Sequence, residues 1–126
     1  KRKEYIMDFN KEKPIFIQIA EAIEDKILQN EWNHEERIPS VRDTAVLFKV
    51  NPNTVMRSYN LLQENNLIDN KRGIGYFLMP DARQNLINLR KKSFLENAIP
   101  ELIKSLKQLD ISVSELITNL KNYENQ

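Results

Sequence analysis

Residues 38–57 read Ile38-Pro39-Ser40-Val41-Arg42-Asp43-Thr44-Ala45-Val46-Leu47-Phe48-Lys49-Val50-Asn51-Pro52-Asn53-Thr54-Val55-Met56-Arg57. Two helix starts stand in this one stretch. Ser40 has the form of an N-cap, with Asp43 three residues on as partner of a capping box. Asn51 has the form of a second N-cap, and Pro52 suits the first helical position, where its missing N–H costs nothing. Val41, Ala45 and Phe48 fall on one face of the first helix; Val55, Tyr59 and Leu62 fall on one face of the second. Only Lys49-Val50 lies between them. Two capped helices across so short a turn predict a helix-turn-helix.

The flanks extend this reading. Downstream, Leu67-Ile68-Asp69 and Tyr76-Phe77-Leu78-Met79 are short strand candidates. They enclose Asn70-Lys71-Arg72-Gly73-Ile74-Gly75, which holds the only two glycines of the chain. Glycine serves positions that need positive φ or close backbone approach, so the segment predicts a β-wing. Upstream, Pro14 opens a helix of roughly 17 residues with Ile15, Ile19, Ile23 and Ile27 in one stripe and Phe16, Ala20 and Leu28 beside it. Trp32 is expected to cover its end, residues 33–37 to be irregular, and residues 5–9 to form at most a short extended arm.

Pro80 marks a boundary, after which the pattern is helical. Leu95, Ile99, Leu102, Leu106 and Leu109 form a heptad-like seam. Pro100 sits inside it and is expected to kink or split the helix near residues 97–99. Ser112 and Glu115 make a capping box, and Ile111 with Leu116 a hydrophobic staple, for a last helix with Val113, Leu116, Ile117 and Leu120 on its apolar face. The fold class expected is mainly α with a small β-wing: a winged helix-turn-helix domain over residues 1–80 and a C-terminal two-helix dimerisation tail over residues 81–126.

Composition narrows the function classes. The chain has 126 residues, no cysteine and a formal net charge of +1. Disulfides and thiolate metal sites are excluded. No run of apolar residues is long enough to span a membrane, and the charged N-terminus lacks a signal-peptide pattern; a cytoplasmic protein is expected. The charge is unevenly placed. Residues 38–79 carry Arg42, Lys49, Arg57, Lys71 and Arg72 against Asp43, Glu64 and Asp69, whereas residues 21–36 hold six acids and one lysine. The acids thus avoid the proposed reading unit, as phosphate binding requires. An enzyme is the least favoured class. The single His34 lies in an acidic loop, and no metal-spaced cluster, Walker loop or dinucleotide fingerprint is present; no cofactor is expected.

A helix N-terminus offers free N–H groups and partial positive charge to phosphate. Ser40 and Asn51 supply two such termini, and Arg42 stands in the first turn of one. In a helix-turn-helix the start of the second helix meets base edges in the major groove. Asn51, Asn53 and Thr54 stand there, with Arg57 and Ser58 one turn on. Asparagine pairs with adenine, arginine with guanine, and a threonine methyl touches thymine. Lys71, Arg72 and Gly73 at the wing tip are placed to follow the backbone or enter the minor groove.

These segments resemble the GntR family of bacterial transcription regulators. The match rests on Pro14-Ile15-Phe16-Ile17-Gln18-Ile19-Ala20, Ile38-Pro39-Ser40-Val41-Arg42-Asp43, Val50–Tyr59 with its Asn-Pro-Asn-Thr core, and Arg72-Gly73-Ile74-Gly75-Tyr76-Phe77. The Asn-Pro-Asn-Thr form and short tail are similar to the YtrA-type subfamily, in which a compact two-helix tail dimerises and the genes often neighbour transporter operons. The resemblance places the family's phosphate-binding arginine on Arg42, its recognition contacts on Asn51, Asn53, Thr54 and Arg57, and its wing glycine on Gly73. Two departures stand out. The loop over residues 30–37 lacks the family's usual glycines, and Asn65-Asn66 replaces the glycine after the recognition helix, where asparagine can take the left-handed conformation.

The expected function is a sequence-specific DNA-binding repressor acting as a homodimer on a twofold-symmetric operator in double-stranded DNA. Two tail helices alone bury too little surface to stand as a domain. Their seam therefore calls for a second copy, with Leu95, Ile99, Leu102, Leu106, Leu109, Leu116, Ile117 and Leu120 as the dimerisation set. Larger family members hold a small-molecule pocket in the C-terminal domain; a tail this short offers little room for even ~300 Å³, which leaves a groove between protomers for any effector, and the sequence identifies none. Arg83, Arg90, Lys91 and Lys92 read as a solvated helix face. The alternative is a winged-helix protein-interaction module with a heterotypic helical tail, which the polar front of the recognition helix disfavours because interface cores are anchored by large aromatic side chains.

Overall fold

The computed structural model describes residues 9, 12–33 and 35–126. The arm expected over residues 5–9 lies outside them except for Phe9, which packs on the core; His34 lies outside them as well. The chain divides into two compact units, Lys1–Ile87 and Asn88–Gln126.

In the first unit, α1 (Ile15–Leu28), α2 (Val41–Phe48) and α3 (Pro52–Glu64) precede a hairpin of β1 (Ile68–Lys71) and β2 (Gly75–Leu78), and α4 (Ala82–Ser93) begins here. Pro14 is the residue before α1 rather than its first helical one. Ile19, Ala20, Ile23 and Ile27 line the core as the stripe requires, but Ile15 is exposed. Trp32, Ala45, Phe48, Val55, Tyr59 and Leu62 join them, and Ala82 and Leu86 of α4 complete this core. Arg83 is exposed, as a solvated helix face requires, and donates from Nε to the carbonyl of Leu28 at 3.2 Å, at the C-terminus of α1.

Tyr59 ties the parts together. Its hydroxyl donates to the carbonyl of Pro39 at 2.6 Å and lies 2.8 Å from Thr44 Oγ1. Its ring meets Tyr76 edge-on, with centroids 4.8 Å apart. One buried side chain of α3 thus fixes the start of α2 and the strand β2.

The wing is broader than a hairpin. Arg37 pairs with Phe77 as an antiparallel bridge. Ile38 N–H donates to Tyr76 O, and Leu78 N–H to Glu36 O, each at 2.9 Å. The segment expected to be irregular up to residue 37 therefore ends as a third, one-bridge strand, and β2 lies between two partners. β1 pairs with β2 in the register Ile68↔Leu78 to Lys71↔Gly75, leaving Arg72-Gly73-Ile74 as the tip. The two glycines have different causes. Gly73 has φ 77° with open space around it, so conformation alone demands it. Gly75 has φ 141°, and a Cβ there would stand 2.8 Å from Arg37 Nε.

The second unit holds the rest of α4, a π-helical turn (Phe94–Ala98), α5 (Ile99–Gln108) and α6 (Val113–Glu124). Pro100 does not split the helix. Ser93 and Ala98 keep right-handed helical angles, and Ile99 N–H reaches five residues back to Phe94 O. Pro100 has no N–H for the carbonyl of residue 96, and its ring crowds that carbonyl; the wider turn accommodates both. Ser112 caps α6 as expected, its Oγ accepting from Glu115 N at 3.0 Å. Among the seam residues Leu106 is buried, Ile99 and Leu116 are half-buried, and Leu95, Leu102, Leu109, Ile117 and Leu120 are exposed.

Two outcomes follow from this packing. Tyr59→Phe leaves Thr44 and the Pro39 carbonyl without their shared partner and lowers stability by about 1–3 kcal/mol, measured as a shifted denaturant midpoint. Gly73→Ala costs roughly 1–2 kcal/mol for its positive φ. Gly75→Ala costs more, because Arg37 must also leave, and adding Arg37→Ala to it recovers part of the loss in a double-mutant cycle.

Candidate nucleic-acid interface

Three local structures of the first unit make up the candidate polar front. The first is the start of α2. Ser40 Oγ accepts from Asp43 N at 3.0 Å, which closes the expected cap. The hydroxyl proton stays available as a donor. Arg42 lies exposed in the first turn, with no ion-pair partner among the described residues.

The second is the start of α3. Asn51 Oδ1 accepts from Asn53 N at 2.8 Å, so the side chain of Asn51 is engaged in holding the helix end and keeps its amide donors for other work. Asn53 is exposed and Thr54 half-buried. The turn before α3 is made by Lys49 in a left-handed conformation, φ 57°. Lys49 N–H reaches Val46 O and Val50 N–H reaches Ala45 O, a Schellman closure that needs no glycine.

Ser58 does not belong to this front. It is fully buried and donates to the carbonyl of Phe16 at 2.7 Å, locking α3 onto α1. Helical spacing could have told this: Ser58 adjoins Tyr59 and stands three residues after Val55, on the inward side. Arg57 is exposed, but its guanidinium is not loose. It lies over the Phe16 ring, 4.1 Å from the centroid. Stacking occupies the face of the guanidinium and leaves its edge donors free. The exposed stripe of α3 is Asn53, Met56, Arg57 and Asn60. Met56 and Asn60 escaped the sequence reading because it stopped one turn into the helix. Met56 Sδ receives the Tyr76 hydroxyl at 3.8 Å, a weak link between α3 and the wing.

The third is the wing. Arg72 and Gly73 stand at the tip and Ile74 beside them, all exposed. Lys71 belongs to the end of β1, where its Nζ lies 4.5 Å from the centroid of the Phe77 ring. The structure therefore brings Ser40, Arg42, Asn51, Asn53, Thr54, Arg57, Lys71, Arg72 and Gly73 onto one unit, in three segments tied through Tyr59. Arg37, missed by the sequence reading, joins the wing by its bridge to Phe77. The signal was a basic residue directly before Ile38 in an otherwise acidic loop.

Among the described residues no group of three His, Cys, Asp or Glu side chains is placed to hold a metal ion, and no helix is long and apolar enough to cross a membrane.

Comparison with known proteins agrees with the geometry. The family model described as "Bacterial regulatory proteins, gntR family" matches residues 17–78, the span from α1 to the end of the wing. The crystal structure of a putative transcriptional regulator of the GntR family from Bacteroides thetaiotaomicron superposes with a TM-score of 0.79 at 41% identity, covering 89% of this chain and 97% of that one. By sequence the chain is 29% identical to an uncharacterised HTH-type transcriptional regulator, YhcF, of Bacillus subtilis strain 168, over 91% of this chain and 93% of the relative. It is 26% identical to the HTH-type transcriptional repressor YtrA of the same organism, over 82% of this chain and 78% of the relative. Family match, full-length likeness and the winged helix-turn-helix agree: the chain belongs to the gntR family of bacterial transcriptional regulators and is of the YtrA-like type.

Proposed function

We propose that the chain is a dimeric, sequence-specific DNA-binding repressor of the cytoplasm, with residues 1–80 as reading head and 81–126 as dimerisation tail. The observation that carries the reading is the exposed stripe of α3 beginning at Asn53, together with the exposed Arg42 and the basic wing tip. Asn53, Thr54 and Arg57 read base edges in the major groove, Asn51 and Ser40 hold the helix ends against phosphates, Arg42 pairs with the backbone, and Lys71, Arg72 and Gly73 approach the flanking groove. The repressor sense is supported by the likeness to YtrA.

The dimer is supported by the tail. Leu95, Leu102, Leu109, Ile117 and Leu120 are exposed along α5, α6 and the π turn. So many exposed large apolar side chains on so small a unit mark an association surface. Twofold pairing through it presents two heads to a palindromic site.

Two measurements test this. In gel-shift titrations Arg42→Ala weakens binding to every duplex about equally, whereas Asn53→Ala mainly relaxes base preference, by about 1–3 kcal/mol at one position. Equal affinity of both variants and the wild type would sink the assignment. In light scattering, Leu102→Asp with Leu120→Asp yields monomers, and operator affinity drops by about 10²–10⁴ as avidity is lost; a variant that stays dimeric and binds normally places the interface elsewhere.

A further inference from the structure

Strand register assigns each wing residue to a side. Directly opposed residues carry their side chains on the same face of a sheet. Asp69 opposes Phe77, Lys71 opposes Gly75, and Arg37 opposes Phe77 from the other edge. Tyr76 and Leu78 point to the opposite face, where Tyr76 meets Tyr59 and Leu78 is buried. The outer face therefore presents Arg37, Lys71 and Asp69 around Phe77.

Two cations lie on this face. Lys71 Nζ lies 4.5 Å from the Phe77 ring centroid. The guanidinium of Arg37 lies against the α-carbon of Gly75: a Cβ on that glycine would stand 2.8 Å from Nε and 3.3 Å from both Cζ and Nη2. Both side chains are exposed, and among the described residues neither has an ion-pair partner. Asp69, the acid of this face, pairs with neither. Like charges on one face without a counter-charge repel, and the guanidinium fills the space a side chain at Gly75 would need, at a position whose φ of 141° itself calls for glycine. The arrangement is accounted for by an anion that both cations face. It lies directly behind the tip Arg72-Gly73-Ile74, so a duplex that receives the tip in a groove runs its backbone past this flank.

We propose that Arg37 and Lys71 form a phosphate clamp on the outer face of the wing, and that Arg37 is a DNA-backbone contact of this regulator. The inference rests on the DNA-binding reading above. Arg37 positions the protein on DNA and reads no base. Its contact adds one neutralised phosphate to the footprint, with a salt dependence of about 0.9 in the log–log slope.

The test uses the full chain and two duplexes, one selected from a random pool by the wild type and one of mixed sequence. Arg37→Gln is shorter, but its planar amide nitrogen reaches the place of the arginine Nε beside Gly75, and it removes the charge. It is expected to weaken binding to both duplexes by about tenfold and to flatten the salt slope by about one, with an unchanged thermal midpoint. Arg37→Lys retains most of the slope. A wild-type slope and affinity for Arg37→Gln, measured beside a weakened Arg42→Ala, overturns the clamp and leaves the regulator reading intact. A lowered midpoint with an unchanged slope overturns it too, since Arg37 would then only brace the wing. Failure of the wild type to bind either duplex overturns both readings.

Discussion

The hydroxyl of Tyr59 is the constraint on which the reading head depends. A recognition helix is useful only if the first helix and the wing hold fixed places beside it. Tyr59 supplies both relations from one buried ring. Its hydroxyl engages Pro39 O and Thr44 Oγ1, which fixes the loop entering α2 and hence the direction of Arg42. Its ring abuts Tyr76, which fixes β2. Because the hydroxyl is buried, leaving it or its partners unmatched costs more than the bonds gain. The geometry is therefore held by a penalty against alternatives as much as by attraction. Ser58, one residue before, repeats the device toward α1 through Phe16 O.

A second constraint acts on the cations. The net charge of the chain is only +1, so attraction to DNA must come from placement. Arg57 rests on Phe16 and Lys71 on Phe77. Each stack is worth modest energy at an exposed site, about 0.5–1 kcal/mol. Its larger effect is entropic: a long basic side chain already ordered loses less freedom when it meets a phosphate. Acids of the α1 region are paired locally, Glu21 with Lys13 and Glu31 with Lys26, each at 3.1 Å. A near-neutral protein can in this way carry a basic surface where one is needed.

Much of this architecture was legible in the residues, for identifiable reasons. Caps announce themselves: Ser40, Asn51 and Ser112 each accept the N–H that their types predict. Helix periodicity gave Val55, Tyr59 and Leu62 as the inward face. What escaped was contact between distant segments. Nothing local says that Arg37 reaches Gly75, because a one-bridge strand is too short to show alternation, and the loop before it is acidic. The exposure of Ile15 escaped because a four-residue apolar spacing marks a stripe but not where its burial stops. Pro100 is expected to kink or split the helix because proline removes a hydrogen bond; the π turn over Phe94–Ala98 shows that the helix runs on by widening.

The scarcity of glycine has a physical answer in the helix ends. Asn30, Lys49, Asn66 and Asp110 take left-handed angles, each with φ close to 57°, and each helix they follow closes with a bond reaching from the next residue back across the last turn. Asparagine and aspartate tolerate this conformation at low cost, and lysine at more. Lys49 is the instructive case. It sits in the turn between α2 and α3, where a glycine would also fit, and the left-handed lysine adds a positive charge there at some cost in backbone strain. Glycine stands at Gly73, where the wing tip turns with φ 77° in open space, and at Gly75, where φ is 141° and the Arg37 guanidinium also occupies the place of a Cβ. Gly75 thus answers to an angle and to empty space together. That second requirement links the choice of a small residue in β2 to a charged one before α2, and so makes the wing and the start of the helix-turn-helix a single structural unit.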